Sequence, residues 1–192
     1  MNLLVVDCGS KKVGEIVQIV KDEHFSPQIW PFEKTPKIAK AIIISGGPHL
    51  FTNEDESKAL QLQKRFAWVR NVQVPVLGIC LGHQALALAD GAEVYRGPER
   101  RDSDAIQLSG DHPILSGIPS GTEFAEDHCE GVTPPPSFQV LGSSADYPVE
   151  IIANDEKLQY GVQFHPEVSG EMGRRIIANF LKLVSDANSS TS

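Results

Sequence analysis

The stretch Val76-Leu77-Gly78-Ile79-Cys80-Leu81-Gly82-His83-Gln84 constrains the fold more than any other part of the chain. Apolar, strand-like residues precede a cysteine set between two glycines, and the helix-forming run Ala85-Leu86-Ala87-Leu88-Ala89 follows it. A strand, a tight turn and a helix result, with a thiol at the turn. The spacing Gly78-x-Cys80-x-Gly82 is that of a nucleophile elbow, whose sharp turn needs small neighbours so that the reactive side chain stands clear. A thiol at a helix start meets unpaired N–H groups and the positive end of the dipole. Its pKa is therefore expected to fall, favouring thiolate.

The first half of the chain alternates strand and helix. Leu3 to Val6 reads as a strand, followed by an amphipathic helix over Lys12 to Asp22 with Val13, Ile16, Val17 and Val20 at helical spacing. Gln28 to Trp30 is a second strand. Ala41-Ile42-Ile43-Ile44 is short, β-branched and continuous, as in a strand buried on both faces. Asn53 with Glu56 has the form of a capping box, opening a helix that runs to about Val69. Val74 to Ile79 is the next strand, and the elbow helix ends near Gly91. This order predicts an α/β fold: three layers, a mostly parallel central sheet with helices on both faces.

Beyond Gly91 the pattern changes to short strands separated by turn residues. They are Glu93 to Tyr95, Ala105 to Leu108, Thr122 to Ala125, Phe138 to Leu141, Val149 to Ala153 and Tyr160 to Phe164. The run Thr133-Pro134-Pro135-Pro136 cannot lie inside a sheet. These strands are expected to be antiparallel extensions of the same domain. A last helix spans Gly170 to Val184, and the polar residues 185–192 are expected to be a disordered tail. The chain thus reads as one domain over 1–184, a size that supports a full three-layer core.

Charge narrows the partners. Against 25 acidic residues stand 17 basic ones, a net charge of −8, which argues against nucleic acid as the main partner. The basic cluster Arg96 to Arg101 is interrupted by Gly97, Pro98 and Glu99 and reads as a solvated loop. Three cysteines (Cys8, Cys80, Cys129) have no paired spacing, so neither a disulfide framework nor a zinc site follows. No basic leader precedes the first apolar run, and no run approaches the ~20 apolar residues of a membrane helix. A cytoplasmic chain with no membrane partner is expected.

A nucleophilic cysteine needs a base, and the base needs a group to orient it. Among six histidines, His165 has the best context, in Tyr160-Gly161-Val162-Gln163-Phe164-His165-Pro166-Glu167. A strand delivers it to the sheet edge and Pro166 stops the ladder. In a parallel α/β sheet the carboxyl ends of the strands form the functional edge, so His165 is expected beside Cys80. Glu167 can hold the imidazole in one tautomer. His83 sits on the elbow helix itself, poorly placed as a base, and reads as structural. Cys8 and His112 have no supporting context. An oxyanion hole requires two donors: the amide of Leu81, just after the cysteine, and one from Ile44-Ser45-Gly46-Gly47-Pro48, where a buried strand ends in two glycines.

Together the elbow, Ser45-Gly46-Gly47-Pro48 and Gly161-Val162-Gln163-Phe164-His165-Pro166-Glu167-Val168 closely resemble the class I (triad) glutamine amidotransferases, over nearly the whole chain. The resemblance implies their flavodoxin-like fold and hydrolysis of the glutamine side-chain amide by a Cys80–His165–Glu167 triad. It implies a γ-glutamyl thioester on Cys80 and an oxyanion hole at Gly47 and Leu81. Gly46, Gln84, Asp127 and His128 would contact substrate L-glutamine. No metal or organic cofactor is needed for this half-reaction. Ammonia would pass to a separate ATP-dependent synthetase. Val168 and the form His128-x-Glu130-x-Val132 are most similar to the glutaminase component of GMP synthase. The chain departs from the family pattern at Ser10, Lys11, Lys12, Asp127 and Glu130. A stand-alone γ-glutamyl hydrolase or peptidase, an anthranilate or aminodeoxychorismate synthase component, and a low-activity regulatory paralogue are the alternatives.

Overall fold

The computed structural model describes residues 2–36 and 39–189. Eleven strands are formed among them: β1 (Asn2–Asp7), β2 (Ser26–Pro31), β3 (Ala41–Ile44), β4 (Val76–Ile79), β5 (Val94–Arg100), β6 (Ser103–Leu108), β7 (Thr122–Ala125), β8 (His128–Val132), β9 (Gln139–Ser143), β10 (Ile151–Asn154) and β11 (Gln159–Val162). The α-helices are α1 (Val13–Asp22), α2 (Glu56–Arg65), α3 (Leu81–Ala89) and α4 (Gly170–Ser189). A large sheet runs β2-β1-β3-β4-β11-β10-β9-β6-β7, and β5 pairs with β8 in a separate ribbon.

The half of the sheet from β2 to β11 is parallel. The strands beyond β11 add on antiparallel. The parallel strands are apolar on both faces because each face carries a helical layer. Leu3, Val5, Ile43, Leu77 and Ile79 face α1 and α4, whose buried stripes include Ile16, Val20, Ile176 and Phe180. Leu4, Val6, Ile42, Ile44 and Val76 face α2 and α3 through Leu62, Leu81 and Leu86. The period-2 alternation of the strands thus separates two cores. No helix among the described residues is long and apolar enough to cross a membrane.

Several local expectations are corrected. The cap of α2 is Asp55, whose Oδ1 accepts the Ser57 N–H (3.0 Å), whereas Asn53 Oδ1 accepts the Asp55 N–H. Helix α2 stops at Arg65 and continues as a 3-10 turn over Ala67–Asn71, so the α-helix does not reach Val69. Arg96 to Arg101 is no solvated loop: residues to Arg100 form β5, which pairs with β8. Strand β8 itself escaped the sequence reading, because Glu126-Asp127-His128-Cys129-Glu130 shows no apolar alternation. Helix α4 continues past Val184 through 185–189, where a disordered tail is expected from composition. There Ser185 Oγ, Asn188 Nδ2 and Ser189 Oγ donate to carbonyls one turn back. Residues 190–192 of that tail lie outside the described residues.

Candidate active site

The elbow is built by close backbone approach. Cys80 has φ 50° and ψ −103°, in the region that favours glycine, and caps the start of α3. Its N–H donates to Val162 O of β11 (2.8 Å), locking the turn to the neighbouring strand. Both flanking glycines are obligatory. A Cβ on Gly78 would lie 2.4 Å from Gly82 O, and one on Gly82 would lie 2.6 Å from Ile44 O. The thiol side chain is buried, and Sγ lies 4.0 Å from Asp127 O.

The Gly82 contact is with backbone, so it cannot be relieved by a rotamer change. Gly82→Ala is expected to cost about 3 kcal/mol by forcing α3 off β3. For a chain of this size that lowers Tm by ~6–12 °C. A thermal melt within 2 °C of the unsubstituted protein would contradict this.

His165 follows β11. Its N–H donates to Ala125 O (2.8 Å) and its C=O accepts the Ser169 hydroxyl (2.6 Å). Its Nδ1 lies 2.8 Å from Glu167 Oε1, with both side chains buried. Glu167 sits in a 3-10 turn, Pro166–Val168, that curls the carboxylate back under the ring. The elbow and the histidine converge on Gly46. A Cβ there would come within 2.8 Å of His165 Cε1 and 3.4 Å of Cys80 Cβ. One residue on, a Cβ on Gly47 would lie 2.2 Å from Cys8 O. The two glycines therefore let the β3 loop pass between the catalytic pair and the end of β1. Gly47 N–H donates to no acceptor among the described residues.

The expected thiolate does not form in the free site. Burial pushes the Cys80 thiol well above its ordinary pKa, and the Glu167 carboxylate adds to this. The Leu81 N–H opposes the shift but is outweighed, because a desolvated anion costs more than one donor at a helix start returns.

A cavity of about 610 Å³ opens over Cys80 and His165. It is lined by Gly47, Leu81, Gln84, Asp127 and His128, and also by Lys12, Arg96 and Arg101. Gln84 is buried, its Nε2 donating to Gln163 Oε1 (3.2 Å) and Glu130 O (3.4 Å). Both ring nitrogens of His128 have neighbours within the protein: Nδ1 donates to Glu130 O (2.9 Å), and Nε2 lies 2.9 Å from Glu126 Oε2. His83 is fully buried, and burial pushes its imidazole down to about 3, so it stays neutral as a structural residue.

Three departures from the family pattern are explained by contacts. Lys12 Nζ pairs with Asp127 Oδ2 (2.9 Å), and Arg101 holds the other carboxylate oxygen. The Lys12 ammonium keeps the Asp127 carboxyl below its usual range. Glu130 is buried, and its carboxylate accepts Phe51 N–H (3.2 Å) and Thr52 N–H (2.6 Å), bracing the segment after Gly47. Sequence reasoning missed Arg96 and Arg101 as cavity residues. The clustering of arginines was the available signal, but the pairing of β5 with β8 that carries them to the mouth is non-local.

A family model described as glutamine amidotransferase class-I matches residues 4–184. The chain is 34% identical over 189 residues to the glutamine-hydrolysing subunit of the GMP synthase of Pyrococcus furiosus, covering 94% of this chain and 97% of that one. It is 34% identical over 188 residues to the glutamine-hydrolysing GMP synthase of Symbiobacterium thermophilum. There it covers 93% of this chain but spans only 36% of the relative. Among solved structures, a putative GMP synthase subunit from Thermoplasma acidophilum superposes with TM-score 0.88 at 24% identity, covering 100% of this chain and 97% of that one. A glutamine amidotransferase from Thermotoga maritima gives TM-score 0.76 at 20% identity, covering 98% and 85%. At these identities the two structures speak for the fold alone.

Proposed function

The chain belongs to the class I glutamine amidotransferases, and from that premise we propose that it hydrolyses the glutamine side-chain amide and hands the ammonia to an ATP-dependent synthetase. The observation that carries the reading is the 2.8 Å His165–Glu167 contact beside the elbow cysteine, with the His165 ring and Cys80 packed on Gly46. Nδ1 of His165 faces Glu167, so Nε2 remains to take the proton from Cys80 Sγ. The sulfur attacks the carboxamide carbon, and the Gly47 and Leu81 amides receive the oxyanion. His165 returns the proton to the nitrogen as the C–N bond breaks and ammonia leaves. Water, deprotonated by the same histidine, then cleaves the γ-glutamyl thioester and frees glutamate and the thiol.

A neutral, buried thiol fits this scheme, because the proton moves only when substrate and base are in place. The span of the family match supports reading 1–184 as one amidotransferase domain. The likeness to a glutaminase that is a separate polypeptide and the exposed Val168 beside the triad support a GMP synthase-type partner.

Asp127 carries the charge complementary to the substrate α-ammonium at the cavity mouth. Asp127→Asn is expected to raise KM for glutamine by ~10–100-fold, the value of a charge-assisted hydrogen bond, with little change in kcat. Steady-state kinetics that showed kcat falling instead would move Asp127 from binding to chemistry.

The direct test is ammonia release from glutamine by the purified chain, alone and with the synthetase component of a GMP synthase. Turnover should rise with the partner. A higher kcat/KM for γ-glutamyl peptides, unaffected by the partner, would favour the stand-alone hydrolase. No release under either condition would defeat the proposal.

A further inference from the structure

Beside the catalytic cavity, Glu126 from the β7–β8 connection, His128 of β8 and Glu150 just before β10 turn their side chains toward one point. One ligand-type atom from each lies within 4.8 Å of the others, and all three residues are buried. We infer that this cluster binds one divalent first-row transition-metal ion, of the zinc or manganese kind, in a structural role.

The donors are prepared for an ion. Glu126 Oε1 and Glu150 Oε2 have no hydrogen-bond partner among the described residues. His128 Nε2 approaches Glu126 Oε2 to 2.9 Å without the alignment of a hydrogen bond. Two outer atoms, in contrast, are fixed. His128 Nδ1 donates to Glu130 O, which places the ring proton there and leaves the Nε2 lone pair facing the carboxylates. Ser144 Oγ donates to Glu150 Oε1 (2.8 Å), leaving Oε2 for the cluster. Orientation of imidazole and carboxylate from behind is what metal ligands require.

The local charge is also uncompensated. Arg100 is the nearby cation, and its guanidinium is taken by Asp104 (2.8 Å) and Asp146 (3.2 Å). Burial, together with the neighbouring Glu126, pushes the Glu150 carboxyl up to about 9, and burial also raises that of Glu126. The pair therefore holds protons that a dication would displace. Tyr147 packs on the His128 ring (centroids 4.6 Å apart) and keeps that side dry. One imidazole with two carboxylates suits zinc, manganese or iron, whereas calcium takes six to eight oxygens. Donors ~2.1 Å from one tetrahedral ion stand ~3.4 Å apart, so small rotamer shifts close the site. The ion would join the β7–β8 connection to the start of β10. Both flank the catalytic strand: Ala125 O holds His165 N–H, and Glu150 O holds Gln163 N–H (2.8 Å).

The test uses the full chain carrying Cys80→Ala, which removes the catalytic thiol as a competing ligand, after treatment with a chelator. Zinc is titrated calorimetrically in two buffers of different ionisation heat, and cobalt(II) serves as the spectroscopic probe. The expected result is one saturable zinc per chain, release of about one proton per ion near pH 7, and a rise in Tm on saturation. Cobalt should give d–d bands without thiolate charge transfer. Glu126→Gln and Glu150→Gln should each weaken binding by ~100-fold or more, while the metal-free melts show that these near-isosteric variants are folded. No saturable ion, undiminished affinity in both variants, or a thiolate band that places the ion on Cys129 would each overturn the inference.

Discussion

Cys80→Ala is expected to abolish ammonia release from glutamine, with a loss of at least about 10⁴-fold in kcat and no compensating change in KM. Without Sγ no thioester can form. The oxyanion amides and the cavity remain, but water must then attack an amide directly. The same position stores backbone strain, because φ 50° with ψ −103° is costly for any residue with a Cβ. Cys80→Gly is accordingly expected to melt above Cys80→Ala by ~1–3 kcal/mol of unfolding free energy, the reverse of the usual order of these residues. A glutaminase assay and two thermal melts check both statements. Residual turnover in Cys80→Ala near that of the unsubstituted chain would remove the cysteine from the mechanism.

Glu167→Gln is expected to lower kcat by ~10²–10⁴-fold while KM stays within about threefold. The carboxylate is buried and has one clear function, accepting the Nδ1–H of His165 at 2.8 Å. An amide in its place can present its NH₂ to Nδ1, moving the ring proton to Nε2. The histidine would then face Cys80 as a donor and could not take the thiol proton. Because the substitution is nearly isosteric, the melt should change little, separating this effect from a loss of fold. An unchanged kcat would show that the ring is oriented without Glu167.

How far these residues were legible in the sequence depended on how local their signals are. The elbow was readable because Gly78, Cys80 and Gly82 are placed by one strand–turn–helix, and Ile44-Ser45-Gly46-Gly47 because a buried β-branched strand ends in glycines. His165 and Glu167 were readable from a strand stopped by Pro166. The state of the thiol was not. The helix-start effect is local, while the burial that outweighs it comes from β3, β11 and the Asp127 segment closing over Cys80. Strand β8 was hidden for a related reason. His128 and Glu130 lie buried on polar contacts rather than apolar ones, so no alternation marks them.

The sequence by itself determined the α/β order of elements, the family likeness, and a cysteine, histidine and carboxylate at the ends of successive structural units. Each follows from periodicity, turn chemistry or short-range spacing, which act within about ten residues. Only the tertiary structure decided that Lys12 and Arg101 hold Asp127 at the cavity mouth, that Glu130 braces the segment after Gly47, and that Glu126, His128 and Glu150 share a buried site. These contacts join residues far apart in the chain, and their energies depend on burial and on the charges brought near, quantities that exist only once the sheet and the β5–β8 ribbon have formed.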